Sequence, residues 1–165
     1  KDITEKLDTN LTSHLKKSQQ YKSKYRSTPS INPVFGGYIR SSYGWRTHPI
    51  LKRKKFHRGV DIAAWKGAPI QATADGIVEY AGWIRGFGYS VILRHNFGYK
   101  TIYGHCSQLL TKNGDFIKKG QVIAQVGSTG MSTGDHLHYE VKKWNKSISP
   151  TPYLDADIFE ANSKI

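Results

Sequence analysis

Two histidines lie one residue apart in the stretch GDHLHYE, which is otherwise typical of a β-strand. Side chains two positions apart in an extended strand share a face, so we expect His136 and His138 to point one way and Leu137 the other. Such a face can present two imidazoles to one metal ion. Taken alone, the pattern favours two exposed or hydrogen-bonded histidines.

Two further segments supply residue types that bind metals. The stretch FHRGVDIAA places His57 and Asp61 four residues apart, a spacing that returns to the same face if the segment is extended. Gly59 and the following VDIA favour a strand over a helix, although this spacing would also suit a metal on a helix. His105 ends another predicted strand, in TIYGHC; on local evidence, a surface position and a functional role are equally open.

One carboxylate and several imidazoles make a donor set that suits Zn²⁺. Catalytic zinc sites use three protein ligands and keep a fourth position for water, whose pKa falls to about 7. Two imidazoles beyond the ligands could deprotonate that water and stabilise the oxyanion of a tetrahedral intermediate. The residue types therefore predict hydrolysis at a zinc centre.

The motifs resemble those of the lysostaphin-type, or LytM-type, zinc endopeptidases, which cut the peptide part of bacterial peptidoglycan. The family's His-x-x-x-Asp motif matches HRGVD, its His-x-His motif matches HLH, and its Tyr-x-His strand end matches YGH. The family's glycine framework matches as well, so the resemblance covers about residues 41–142. The matching segments are SSYGWRTHPI, KGAPIQATADGIV and GSTGMSTGDHLHYEV.

The resemblance implies a role for each motif residue. His57, Asp61 and His138 would bind zinc. His105 and His136 would be the catalytic histidines, one activating water and the other stabilising the oxyanion, in an order left open. No motif position is missing, which favours an active enzyme.

The resemblance also implies a substrate and a location. We expect cleavage of peptidoglycan cross-links in the periplasm or cell envelope, in wall remodelling and cell shape. The basic composition inclines us to a D,D-endopeptidase acting on D-Ala–diaminopimelate bridges rather than on glycine bridges. The alternative is a catalytically restrained wall-binding or partner-activating module of the same fold.

Short runs rich in Val, Ile and Tyr, bounded by Gly or Asn, predict strands, and HNFGYK predicts a hairpin turn. We therefore expect a mostly β fold with an antiparallel sheet or sandwich, which the resemblance identifies as the LytM type, similar to a duplicated hybrid motif. The runs are APIQAT, GIVEYAGWI, YSVILRH, YKTIYGH, GQVIAQVGS and HLHYEVKKW.

Residues 1–28 predict an N-terminal amphipathic α-helix. It could pack on its own domain, dock on another subunit in a homodimer or heterodimer, or continue an upstream coiled coil. Prolines in TPSINP end the pattern, so we expect the endopeptidase domain at 29–165, with a C-terminal tail from about 148. The helix carries apolar residues at every fourth position: Ile3, Leu7, Leu11 and Leu15.

Charge and composition limit the partners. The chain has 25 Lys and Arg against 12 Asp and Glu, a formal net charge of +13, which favours an anionic partner. No recognised nucleic-acid motif is present, and GSTGMSTG lacks the phosphate-binding spacing, so we expect no nucleic acid partner. No run approaches the roughly 18–20 apolar residues of a membrane span. Because the chain begins with Lys1, we expect a fragment that could carry a membrane anchor upstream.

Several other residues have two open interpretations. The basic run at 52–55 is either a solvated loop or a patch that attracts an anionic substrate. The single cysteine, Cys106, follows His105, but we expect a buried residue on the opposite face rather than a nucleophile. Side chains of SYGWR and GFGYS are either ordinary packing or the lining of a groove: Tyr43, Arg46, Phe87 and Tyr89.

Overall fold

The computed structural model describes residues 3–154. A single helix, α1 (Ile3–Ser27), precedes the strands, and a 3₁₀ turn at Thr151–Tyr153 follows them. The strands of this part of the chain are β1 (Tyr38–Ser41), β2 (Gly44–Thr47), β3 (Lys54–His57), β4 (Val60–Ala63), β5 (Pro69–Gln71), β6 (Gly76–Ile84), β7 (Gly88–Arg94), β8 (Tyr99–Leu109), β9 (Phe116–Ile117), β10 (Val122–Val126), β11 (His136–Lys143) and β12 (Lys146–Ile148).

Antiparallel pairing joins ten of these strands into one sheet, whose main path runs β1-β4-β11-β8-β7-β6-β9. Off this path, β10 pairs with β5 and β8, and β12 pairs with β11. β2 and β3 form a separate two-stranded hairpin between β1 and β4. The predicted mostly β, antiparallel fold with an N-terminal helix is confirmed.

Strand β11 separates the hydrophobic core from the predicted site. Leu137, Tyr139 and Val141 are fully buried in the core cluster. His136 and His138 lie at the alternate positions, as the two-residue period of a strand requires. The register sets His138 opposite both Asp61 on β4 and Gly104 on β8. The alternation in the sequence therefore fixes which side chains reach the site.

All six predicted apolar runs contain strands, and HNFGYK connects β7 to β8 as a hairpin. Phe97 and Gly98 have φ of 59° and 76° in that turn, a left-handed conformation that glycine adopts without cost. Tyr153 and Leu154, within the predicted tail, pack against the core. The rest of that tail, 155–165, lies outside the described residues.

The helix makes few contacts with the domain. Its apolar side chains are 56–77% exposed, so of the alternatives for this helix, packing of the stripe on its own domain is not what the structure has: Ile3, Leu7, Leu11 and Leu15. Dimerisation through this stripe stays a prediction. Among the described residues, no helix has the length and apolar character needed to cross a membrane.

Only the last turn of α1 is fixed to the sheet domain. Arg26 Nε donates to Asp75 Oδ2 at 2.7 Å, and the Arg26 carbonyl accepts from the Asp75 N–H at 2.8 Å. Lys119 Nζ donates to the Tyr25 carbonyl at 3.3 Å and lies 4.1 Å from the centre of the Tyr25 ring. These contacts orient the helix without burying it.

Candidate metal centre

Three predicted ligands meet where β3, β4 and β11 converge. His57 Nε2 lies 3.1 Å from Asp61 Oδ1, and His138 Nδ1 lies 2.9 Å from the same oxygen. The two ring nitrogens are 3.2 Å apart. All three side chains are buried, and their donor atoms lie within 4.8 Å of one another. Two imidazole nitrogens and one carboxylate oxygen form a three-ligand set of the kind that catalytic zinc takes.

A hydrogen bond behind each ring fixes which nitrogen faces the centre. His57 Nδ1 donates to the Ser42 carbonyl at 2.8 Å, which turns Nε2 toward the centre. His138 Nε2 donates to Glu140 Oε1 at 3.0 Å, which turns Nδ1 toward the centre. Since a carbonyl and a carboxylate only accept, these bonds keep a proton on each outer nitrogen, and the inner nitrogens, His57 Nε2 and His138 Nδ1, face the same point.

The electrostatics of the centre favour a cation. Burial alone would raise the pKa of Asp61, but hydrogen bonds from His138 and His57 lower it far below its usual value. Burial alone would lower the pKa of His138, but hydrogen bonds to Asp61 and Glu140 raise it to about 9. Two carboxylates therefore hold positive charge between them. Arg46 donates a hydrogen bond to the other oxygen, Asp61 Oδ2, at 3.0 Å, so that Oδ1 faces the rings.

His57 and Asp61 do not lie on one extended segment, which corrects the expectation from their spacing. β3 ends at His57, β4 begins at Val60, and a break at Arg58 and Gly59 lies between them. The two side chains meet because the chain turns, not because a single strand alternates. Gly59 passes so close to the Tyr139 carbonyl that a Cβ would collide with it, so only glycine fits.

His105 lies in β8 with φ of 61°, a left-handed conformation that contacts on both sides hold in place. Its N–H donates to the Phe87 carbonyl at 2.6 Å, and its Nδ1 donates to the Thr129 carbonyl at 2.6 Å. Burial, assisted by the charges of His136 and His138, lowers the pKa of His105 to about 4. The ring is therefore neutral near pH 7, with its lone pair on Nε2.

His136 lies beside it, with the ring centroids 4.7 Å apart. His136 Nδ1 donates to the Gly134 carbonyl at 2.8 Å, so its Nε2 is also the free nitrogen. That Nε2 lies 3.6 Å from Asp61 Oδ1. The structure thus brings together all five residues singled out from the sequence.

The centre lies in a groove of about 1100 Å³. Arg46 and Phe87 line it, as one interpretation of the sequence held. Tyr43 and Tyr89 are outside that lining: Tyr43 donates to the Ser147 carbonyl at 3.2 Å and packs on Phe56, and Tyr89 packs on Trp83. Those two tyrosines follow the ordinary packing interpretation.

Two other findings concern single residues. Cys106 is fully buried, and burial raises the pKa of its thiol to about 12, so it is no nucleophile, as predicted. Glu140 was not singled out from the sequence, although its position two residues after His138 places it on the same strand face. That spacing was the available signal.

Comparison with known proteins identifies the family. The profile of Peptidase family M23 matches residues 55–150. The fold matches the catalytic domain of lysostaphin from Staphylococcus simulans with a TM-score of 0.65 and 32% sequence identity, over 71% of this chain and 91% of that chain.

Two curated relatives differ in what their names describe. The DD-carboxypeptidase/endopeptidase Mpg of Neisseria meningitidis is 41% identical over 121 residues, which are 73% of this chain and 28% of that protein. The murein hydrolase activator NlpD of Salmonella typhimurium is 44% identical over 99 residues, 59% of this chain and 26% of that protein. The chain thus spans less than a third of the length of these relatives. The family match and the lysostaphin-type motifs agree: this chain belongs to Peptidase family M23.

Proposed function

We propose that this chain is a zinc-dependent endopeptidase that hydrolyses peptide cross-links of peptidoglycan in the cell envelope. The convergence of three donor atoms, from His57, Asp61 and His138, beside two further histidines carries this proposal. The relative named DD-carboxypeptidase/endopeptidase supports the reaction class. The match covers 28% of that relative's length, so its activity is carried over to this chain only as part of the proposal.

Zinc fits the centre better than a harder cation. Two of the three donors are imidazole nitrogens, whereas magnesium and calcium select oxygen ligands. When bound by these three residues, zinc supplies Lewis acidity that lowers the pKa of water and polarises a carbonyl. Ser42 and Glu140 hold the two ligating rings in the required tautomer through their hydrogen bonds.

His105 and His136 then carry the proton transfers. Each ring donates from Nδ1 to a backbone carbonyl, so each presents Nε2 to the groove. A neutral ring in this tautomer accepts a proton, and the protonated ring donates one to an oxyanion or to the leaving amine. The pair can therefore deprotonate the attacking water and stabilise the developing charge, in the two roles that the sequence predicts.

The finer proposal concerns the bond and the compartment. We place the D-Ala–diaminopimelate cross-link first among substrates and the periplasm first among locations, with glycine bridges as the competing substrate. Relatives named DD-endopeptidase support the first assignment. A relative named as a lipoprotein supports an envelope location.

The test is digestion of purified cross-linked peptidoglycan, with the products identified by mass spectrometry and zinc measured in the same samples. We expect about one zinc per chain and conversion of cross-linked dimers to monomers. Chelation should abolish cleavage, zinc should restore it, and His138→Ala should lose both zinc and activity. A wild-type protein with stoichiometric zinc and no cleavage of any cross-link would contradict the proposal.

A second candidate function is activation of another peptidoglycan hydrolase, which the similarity to a protein named murein hydrolase activator favours. The intact set of five histidine and aspartate residues counts against it, because activation needs no metal centre. The two functions separate in one comparison. His138→Ala should retain the ability to stimulate a partner hydrolase if activation is the function, and should lose cleavage if catalysis is.

A further inference from the structure

Positive charge is concentrated around the metal centre. The lining of the groove contains two carboxylates, Asp61 and Glu140, and both are occupied by hydrogen bonds within the centre. The same lining contains seven cationic side chains: Arg40, Arg46, Arg53, Lys54, Lys55, Arg58 and Arg85.

Most of these cations are available to a ligand. Arg46 is paired with Asp61 at 3.0 Å. The other six are exposed, and none of them forms an ion pair among residues 3–154. Their charge is therefore not neutralised by the domain itself, and the groove concentrates it beside the reacting centre.

The order of strands distributes the charges to two sides of the centre. The path β1-β4-β11-β8-β7-β6 passes Asp61 on β4, then His138 on β11, then His105 on β8. Arg40 lies on β1, beyond the Asp61 side, where the β2–β3 hairpin with Lys54 and Lys55 is also inserted. Arg85 lies in the turn between β6 and β7, beyond the His105 side. Cationic side chains thus lie at both ends of the row formed by Asp61, His138 and His105.

We propose that this groove selects peptides that carry free carboxylates on both sides of the scissile bond, one read by the β1 and β2–β3 side and one by Arg85. This inference rests on the proposed endopeptidase function and specifies its substrate. A bond in the middle of an acidic cross-linked peptide satisfies both flanks at once. A peptide whose carboxylates are amidated offers the same backbone without the charge.

The test uses four synthetic cross-linked peptides of identical sequence. They have free carboxylates on both sides, on the amine-donating side only, on the carbonyl-donating side only, or on neither side. An exposed ion pair contributes up to about 1 kcal/mol, so kcat/KM should fall roughly fivefold for each side that is amidated. Raising the salt concentration should reduce these differences.

Paired variants assign the flanks. Arg85→Gln should abolish the preference for a carboxylate on one side and keep it on the other, and Lys54→Gln with Lys55→Gln should do the reverse. The matched control is Lys66→Gln with Lys118→Gln, which removes two exposed charges outside the groove. This control should leave all four ratios unchanged.

The outcomes separate this inference from the function on which it rests. Cleavage of all four peptides within twofold of one another would overturn the inference and leave the endopeptidase in place. If the zinc-loaded protein cleaves neither these peptides nor any cross-link of purified peptidoglycan, the proposed function fails. Binding of the same peptides to His136→Ala by calorimetry then decides the inference separately: tighter binding of the free carboxylate forms supports it, and equal binding overturns it.

Discussion

The imidazole of His138 lies between two carboxylates with different tasks. Asp61 approaches Nδ1 from the side of the proposed metal, and Glu140 accepts from Nε2 on the other side. Glu140 is 3% exposed, so the carboxylate that orients this ligand is itself buried. A ligand held in this way loses little rotational freedom when a metal binds, which raises affinity without any further contact.

We therefore expect Glu140→Gln to weaken zinc binding. An amide oxygen can still accept from His138 Nε2, but it lacks the charge that makes the ring a stronger donor to metal. Loss of such a partner raises the zinc Kd by about 10-fold to 100-fold. Competition with a chelating dye measures this change, with Lys142→Gln on the same strand as the control. Equal affinities of Glu140→Gln and wild type would show that Glu140 does not tune the ligand.

The zinc content of alanine variants should distinguish the two remaining histidines from the three proposed ligands. His105→Ala and His136→Ala are each expected to keep zinc near one per chain and to lose about 100-fold or more in kcat, because each removes a proton-transferring group. Metal analysis beside a cleavage assay tests this. Loss of zinc from either variant would instead place that histidine among the ligands.

His95 gives the chain a pH-dependent stability away from the metal centre. Its Nδ1 donates to the Asp75 carbonyl at 2.7 Å, and its Nε2 is hydrogen-bonded to Thr101 Oγ1 at 2.7 Å. Burial lowers the pKa of His95 from 6.5 to about 4. Between these values the unfolded chain binds a proton that the folded chain does not, so stability is complete above pH 6.5 and falls toward pH 4.

The expected loss from His95 alone is up to about 3 kcal/mol of unfolding free energy. Urea unfolding at pH 7 and pH 4.5 measures it. Protonation of His105 and release of zinc also lower the unfolding free energy as the pH falls. The effect of His95 is therefore taken from the difference between wild type and His95→Gln. The variant should be less stable at pH 7 and should lose less on acidification. Parallel pH profiles would mean that His95 is not buried in its neutral form.

At the scale of elements, α1 is attached through one turn. Its only buried residue is Ser27, and its contacts to the domain involve Tyr25, Arg26 and Ser27. Removal of residues 1–22 keeps these contacts and deletes the exposed stripe. We expect the shortened chain to melt within about 2 °C of the full chain, since removing exposed residues costs little stability, and to cleave with the same kcat/KM.

Thermal unfolding and the cleavage assay on both chains check this expectation, and light scattering compares their masses. A large rise in activity would mean that the helix restrains the site. A change from dimer to monomer would support the predicted self-association through the apolar stripe.

The elements that the sequence predicts well are those whose side chains alternate between core and surface. β11 is an example, because the burial of Leu137 and Tyr139 leaves a simple two-residue period. The β2–β3 hairpin was not predicted, because its strands are four residues long with one large apolar residue each, too few to show an apolar period. The ligand motifs were found without it, but the break at Gly59 depends on a backbone approach that no local pattern encodes.

At the scale of the whole molecule, the proposed metal joins distant parts of the chain. The proposed ligands come from β3 and β4, which are consecutive in the chain, and from β11; His57 and His138 are 81 positions apart. The described residues contain one free cysteine, so no internal disulfide ties these segments together. A ligand that binds only the folded state stabilises it by mass action.

Zinc removal should therefore lower stability as well as activity. At free zinc of about 1,000 times Kd, the stabilisation is about 4 kcal/mol. For a domain of this size, that corresponds to a fall of roughly 10 °C in Tm on chelation. Differential scanning calorimetry with chelator, and again after zinc is returned, measures it. An unchanged Tm would mean that the ligands do not bind metal in the folded protein.

The β2–β3 hairpin pairs only with itself within the described residues, yet it carries Arg46, Lys54, Lys55 and the first proposed ligand, His57. Its connecting loop, residues 48–53, lies outside the ten-stranded sheet that holds Asp61 and His138. We therefore expect the sheet to keep its register when this loop is shortened, lengthened or exchanged. This makes it the natural place to graft a new substrate preference onto an unchanged catalytic framework.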